Sequence, residues 1–404
     1  MKVLHTSDWH LGQTFYEHDR IEEHQCFLDW LCDELVKNQI DVLLVSGDIF
    51  HTATPPATAE KQLYTFIQKA TQLCPALHII IIAGNHDSAN RIEAAKPLLT
   101  LFNTHVIGRF DKLAPEKVVI ELTVAAQQLH VVAMPFLRSA DLPKPSDEEF
   151  DYQTGVKLAY QQAIDTIPKR KGPVILMGHL HAKGGAISED SERNLNIGGF
   201  DSISAGVFGE QFDYVALGHL HKAQKVAKHD AIRYCGTPLP MSFSERHYNH
   251  QVLLAEFSEH RLMAVNPLYV PRFKDVLYIP DTGSKRLREL CEEITTNDFS
   301  QYDSAPYIRL RLSSAETSSR FRAEIDAALK GKAIQFCGIE RVTQARDTVE
   351  DLFEDLAKVE SLSVTSLLDI AYRELEPDEE KAPVSLHNKL AEVIANMEEL
   401  NDET

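Results

Sequence analysis

The sequence predicts an α/β layered fold over its first 270 residues, followed by a small α+β capping domain and a helical tail. Three observations predict it: short Val-, Leu- and Ile-rich runs without polar alternation, amphipathic stretches between them, and a change of texture after Pro271. Continuous apolar runs belong to strands covered on both faces, and such strands joined by helices build layers.

Taken in order, Val3-Leu4-His5 opens the first strand. Ile21, Phe27, Leu28, Leu31 and Leu35 then recur at helical spacing with charged residues between them. "DVLLVSGD" reads as a buried strand ending in a turn, and residues 56–73 read as a helix starting after Pro55-Pro56. "LHIIIIAGNHD" is a second buried strand ending at a glycine. "LHVVAMP", "GPVILMGHLH", "DYVALGHLH", "IRYCGTP" and "QVLLAEF" are further strands. Past Pro271, "KDVLYIP", "PYIRLRL" and "AIQFCGIERV" are strand-like, with a helix over 316–330, so residues 271–345 read as a separate capping domain. From 346 to 404 the chain turns acidic and helical. Val364, Leu367, Leu368, Ala371 and Leu375 form one apolar stripe, and Leu386, Leu390, Val393, Ile394, Met397 and Leu400 another; "EPDEEKAP" connects them.

Composition bounds the function. At 404 residues, 44% hydrophobic and 25% charged, the chain is an ordinary soluble protein of two or three domains. It carries no stretch long enough to span a bilayer and no signal-peptide pattern. Six scattered cysteines without a C-x-x-C pair suit reduced thiols, so the expected compartment is the cytoplasm. The net charge of −19 looks wrong for a protein that handles nucleic acid. However, residues 351–404 hold 15 acidic and 4 basic side chains, more than half of that excess. The body is only mildly acidic, which neither supports nor excludes a polyanionic substrate.

The chemistry collects at strand ends. The first strand ends in Asp8-Trp9-His10, the next in Gly47-Asp48, and the next in Gly84-Asn85-His86-Asp87. Two later strands each end in Gly-His-Leu-His, which supplies His179 with His181 and His219 with His221. Ligands of open α/β sheets bind at the carboxyl ends of strands. A single histidine there is ordinarily a satisfied polar residue, and a lone Gly-Asp is simply a turn. Five such ends carrying Asp, Asn and His together point to a pair of divalent metals. With no thiolate among them, Mn²⁺, Fe²⁺ and Zn²⁺ all suit the set. A carboxylate bridging two ions about 4 Å apart lets both grip the oxygens of a displacement at phosphorus. Two such ions outweigh Asp8 and Asp48, leaving a locally positive pocket in an acidic protein.

This ordered set, D-x-H, G-D, G-N-H-D, G-H and G-H-x-H, resembles that of the calcineurin-like metallophosphoesterases. "HTSDWHLGQ", "GDIF", "AGNHDS", "ALGHLHKAQ" and "RYCGTPLPMSFSE" resemble the SbcD subfamily of nuclease subunits within it, over about residues 1–270. The resemblance implies a metallophosphoesterase sandwich of two sheets flanked by helices. It implies that Asp8, His10 and His221 hold one metal, that Asn85, His179 and His219 hold the other, and that Asp48 bridges them. His86 would be the catalytic histidine, with Asp87 orienting its ring. Mn²⁺ is the expected metal, because Mg²⁺ accepts imidazole reluctantly. The activity implied is a metal-dependent DNA exonuclease and endonuclease. Its partner would be an SbcC-type coiled-coil ATPase, docked on the tail and supplying the ATP chemistry. A homodimer within a heterotetramer fits the same picture, without a membrane. No Gly-x-x-x-x-Gly-Lys-Ser/Thr loop occurs in this chain, in agreement.

His51 in "GDIFH" is a substrate-contact candidate, while His181 reads as an outer or solvent-facing residue. Lys222 and Lys225, followed by Lys228, are candidates to meet DNA phosphates, as are Lys169-Arg170-Lys171 and Arg309/Arg311. The competing reading is a small-molecule phosphodiesterase or phosphatase, such as one acting on cyclic nucleotides. Such an enzyme shares every metal motif but needs neither cap nor tail. A protein phosphatase would carry Asp-Arg after its Gly-Asp, which "GDIFH" lacks. A non-catalytic assembly subunit would not need the intact motif set.

Overall fold

A computed structural model of the chain describes residues 1–124, 126–144, 151–167, 171–183, 185, 203–259, 261–313, 321–342, 372, 383, 385–387 and 389–390. Two six-stranded sheets form the body. In the first, the strands run in the order Arg261–Tyr269, Gln251–Ser258, Lys2–Thr6, Val42–Ser46, His78–Ile82 and Thr104–Ile107. The last four of these are mutually parallel. In the second, the order is Gln224–Lys225, Ile232–Tyr234, Tyr214–Gly218, Val174–His179, Gln127–Ala133 and Val119–Val124, with a parallel centre.

The lack of alternation in the apolar runs follows from this layering. Val3, Val42, Leu44, Ile80 and Ile82 face a core shared with Val131, Ile175, Val215 and Leu217 of the second sheet. Their neighbours Leu4, Leu43, Val45, Ile79 and Ile81 face the other way, under Phe27, Leu31, Leu63, Phe66 and Ile67. Those residues belong to the helices Ile21–Lys37 and Ala57–Leu73, which cover the outer face. Side chains alternate across a strand, so burial on both faces demands apolar residues at every position.

Beyond Pro271, the strands Val276–Ile279, Tyr307–Ser313 and Gln335–Val342 form a three-stranded sheet under the helices Leu287–Thr296 and Phe321–Leu329. This cap has its own core, including Ile279, Leu290, Ile294, Ile308, Leu310 and Leu312. It also packs Val276, Tyr278 and Tyr307 against Phe15 and Phe243 of the body, with the Phe15 and Tyr307 rings 4.4 Å apart. Residues Met1–Arg341 accordingly form one compact unit, and Val342–Thr404 a second. The two tail stripes lie almost wholly outside the described residues. Among the described residues no helix is long and apolar enough to cross a membrane.

Candidate metal centre

Each expected ligand sits at or just past the carboxyl end of a parallel strand. Asp8 and His10 follow Lys2–Thr6, Asp48 follows Val42–Ser46, and Asn85 follows His78–Ile82. His179 closes Val174–His179, and His219 and His221 follow Tyr214–Gly218. The two sheets are tied at this edge: the Ser46 hydroxyl donates to the Ala216 carbonyl at 3.0 Å, and His179 Nδ1 donates to the Ser46 carbonyl at 2.9 Å.

The turns are held in costly shapes. Asp8, His10, Asp48 and His219 have φ of 55°, 47°, 49° and 103°, a region that non-glycine residues avoid. Each such residue costs about 1–3 kcal/mol and persists only where its surroundings over-determine it. Two glycines make the crowding possible. A Cβ on Gly84 would collide with the Asp48 carboxylate and amide, and one on Gly47 with the His179 ring.

Asp48 is the hub. Its Oδ2 lies 3.4 Å from His179 Nε2, 3.7 Å from His10 Nε2 and 4.0 Å from His86 Nε2. On one side, ligand atoms of Asp8, His10 and His221 lie within 4.8 Å of one another. On the other, Asn85 Oδ1 stands 2.9 Å from His179 Nε2 and 3.1 Å from His219 Nδ1. Asp8 joins the strand ends by accepting from Ser7 Oγ and from the His219 amide at 3.0 Å.

Burial sets the protonation states. It raises the Asp8 carboxyl to about 6 and keeps the His10 and His219 rings well below their usual value. At His179 burial also opposes the charged ring, but the adjacent Asp48 carboxylate outweighs it and raises the ring to about 9. Burial works against ionised Asp48 too, yet the surrounding rings, His179 foremost, hold it well below the ordinary carboxylate range.

Does this cluster suit metal ions? His10 is buried, and among the described residues neither of its ring nitrogens has a hydrogen-bond partner. A buried imidazole without partners is expensive, and a metal at that position removes the cost. Carboxylates, an amide oxygen and imidazoles converging from five turns are a donor set for divalent transition metals. The residues fit.

The remaining candidates divide. His51 joins the site, its ring 5.5 Å from those of His10 and His86. Asp87 requires a correction. It does not orient the His86 ring; its carboxylate accepts from the amides of Ile49, Phe50 and Gly84 at 3.1, 3.0 and 2.8 Å. Burial, then the Asp48 charge, raises this carboxyl to about 7. The group facing His86 Nδ1 is the His51 carbonyl, 2.7 Å away. The reason is geometric, since the turn sends consecutive side chains in different directions.

His181 is half-buried, its ring 6.4 Å from that of His219. Lys222 is exposed and lies over the Tyr248 ring, Lys225 pairs with Asp230, and Lys228 is exposed. Arg309 packs over Tyr16 and Phe243, and Arg311 lies 3.6 Å from the centre of the Tyr278 ring, so both serve the cap. Lys169 and Arg170 lie outside the described residues. Sequence reasoning missed Glu245, whose Oε1 is 3.1 Å from His221 Nδ1, and Cys235, whose thiol lies 3.0 Å from Ser7 Oγ. Both lie in "RYCGTPLPMSFSE", a stretch that carries the resemblance, but nothing within it shows which ring or hydroxyl either one faces.

A family model described as calcineurin-like phosphoesterase matches residues 1–223. The SbcD component of the SbcCD nuclease from Rhodobacter capsulatus is 33% identical over 354 residues, covering 84% of this chain and 87% of that protein. The chain belongs to the SbcD family of calcineurin-like phosphoesterases. The Escherichia coli K12 relative is 35% identical over 284 residues, covering 67% and 68% of the two chains. That of Bacillus subtilis is 33% identical over 264 residues, covering 63% and 66%. As a phosphoesterase of the SbcD family, the protein is a phosphodiester hydrolase. The strand-end cluster is its candidate centre for divalent metals.

Proposed function

We propose that this SbcD-family protein is a metal-dependent DNA nuclease subunit. Its role would be to cut duplex ends exonucleolytically, and single strands or hairpins endonucleolytically, beside an SbcC-type ATPase in repair, recombination and replication. The convergence of seven N/O ligand residues, Asp48 among them, from five strand ends supports phosphodiester hydrolysis, and the kinship with SbcD nuclease subunits, with the cap, favours DNA over a small molecule.

In this reading Asp8, His10 and His221 hold one ion, Asn85, His179 and His219 the other, and Asp48 serves both. Bound there, two Mn²⁺ ions would supply Lewis-acid activation of water and of the scissile phosphoryl oxygens. The chain's own contribution is orientation and proton transfer. His86 Nδ1 donates to the His51 carbonyl, so Nε2 faces the site. As the imidazolium, His86 gives its Nε2 proton to the leaving oxygen as the P–O bond breaks and is left neutral with hydrogen on Nδ1, a contribution of about 10²–10⁴ in rate. His51 lies beside His86, where it can contact a substrate phosphate. Lys222, exposed next to His221, is the better candidate for a DNA contact; Lys225 is already paired.

The acidic tail is the proposed dock for the ATPase, within a heterotetramer containing two copies of this chain. Six free cysteines suit the cytoplasm. The test is to assay duplex DNA, single-stranded DNA, bis-p-nitrophenyl phosphate and cyclic AMP with Mn²⁺. DNA cleavage in preference to cyclic AMP supports the nuclease. Efficient cyclic AMP hydrolysis with intact DNA would support the small-molecule phosphodiesterase instead.

A further inference from the structure

Three imidazoles of the centre, those of His86, His179 and His221, are held through Nδ1, and the groups that hold them differ in charge. His179 and His86 each donate from Nδ1 to a neutral main-chain carbonyl. His221 donates from Nδ1 to a carboxylate, Glu245 Oε1, at 3.1 Å. Glu245 is wholly buried. Its Oε2 accepts from the Met241 amide at 2.9 Å and from the Thr237 hydroxyl at 3.5 Å.

The turn that carries it, Phe243–Glu245, is anchored from outside. The Arg246 guanidinium donates to the Asp281 carboxylate at 2.8 Å and sits over the Tyr278 ring of the cap. Arg272 donates to the Arg246 carbonyl at 2.6 Å. A buried carboxylate held this firmly, with one oxygen on a ligand ring, is arranged for that ring.

We propose that Glu245 is the positioning residue of His221 and makes the two metal positions unequal, strengthening the one built from Asp8, His10 and His221. The inference rests on reading this cluster as a two-metal centre. An anionic acceptor on Nδ1 fixes the tautomer, directs the Nε2 lone pair into the site and raises the basicity of the ring. A carbonyl, as at His179, does the first two with less effect on basicity.

The test titrates metal-free, full-length protein with Mn²⁺ alone and follows bound ion by calorimetry and paramagnetic resonance. Glu245→Gln keeps the shape. While its amide oxygen serves the Met241 amide, its NH₂ group meets His221 Nδ1, donor against donor, and the ring is driven to the tautomer with hydrogen on Nε2. One of the two sites should weaken about 10- to 100-fold and the other stay unchanged. In a His221→Ala background the same substitution should add nothing. Equal weakening of both sites, no change at either, or the same loss in the His221→Ala background would overturn the proposal. Wild-type protein that binds fewer than two ions would sink the two-metal reading itself.

A second measurement needs no variant. Imidazole ¹⁵N shifts of His221 in the Zn²⁺-loaded protein should report hydrogen on Nδ1. Hydrogen on Nε2 would overturn the proposal even if Glu245→Gln fails to fold.

Discussion

His86 directs Nδ1 at the main-chain oxygen of His51, 2.7 Å away, while its own amide donates to Asp48 Oδ1 at 2.9 Å. The ring is thus held by backbone on one side, and its backbone is held by the hub carboxylate on the other. A carbonyl can only accept, so Nδ1 carries hydrogen and Nε2 is the atom that exchanges protons with substrate. His86→Ala should lower kcat by about 10²–10⁴ and leave two ions bound. Metal analysis beside steady-state kinetics checks this. Loss of an ion from this variant would make His86 a ligand instead.

Asp48→Ala should behave differently. Its Oδ2 faces rings on both sides of the centre, at 3.4 Å from His179 and 3.7 Å from His10. Turnover and metal content should therefore fall together, at both positions. Two ions retained after dialysis against chelator would remove Asp48 from the bridging role.

Asp87→Asn probes stability more than chemistry. Its two carboxylate oxygens satisfy the amides of Ile49, Phe50 and Gly84. An asparagine has one oxygen for three donors and turns its NH₂ group toward another N–H. The folded state should lose about 1–3 kcal/mol, measured by urea unfolding of the metal-free protein. A variant as stable as the parent would mean that the loops do not depend on this brace.

Metal affinity should depend on pH with a defined sign. A histidine or carboxyl must lose its proton to become a ligand. Burial raises Asp8 to about 6, and at His179 the Asp48 charge overcomes burial to raise the ring to about 9. Below pH 6 protons compete at both groups; between 6 and 9 they compete at His179. Apparent Mn²⁺ affinity should thus rise with pH up to about 9, by at most about tenfold per unit for one proton, then level off. Competition with a chelating dye across that range tests it, and a flat profile would contradict a charged His179 in the metal-free protein.

Deleting residues 346–404 cuts beyond the unit Met1–Arg341. The truncated protein should keep Mn²⁺ binding and Mn²⁺-dependent cleavage of single strands. Co-purification with the partner ATPase, and ATP-stimulated processing of duplex ends, should be lost. Unchanged affinity for the ATPase would show that the tail is not the docking element.

The fold class and the ligand types were legible in the sequence because both are local. Unbroken apolar runs such as Ile79–Ile82 mark strands covered twice, and each ligand stands in a turn whose chemistry is visible by itself. The strands Val119–Val124 and Arg261–Tyr269 escaped notice. The first alternates between buried and exposed residues, and the second is largely exposed, so neither carries a continuous apolar signal. Arg309 and Arg311 read as candidates for DNA phosphates because they line one face of a strand, yet they stack on Tyr16, Phe243 and Tyr278. Glu245 lies 24 residues from His221, and only the return of the chain brings carboxylate to ring. Asp87 adjoins His86 in sequence and serves a different loop. By itself, the sequence determined which residues could bind metal and on what kind of scaffold. Which group orients each of them was decided by tertiary structure, because hydrogen-bond partners depend on the direction of turns and on chain reversals that no local pattern encodes.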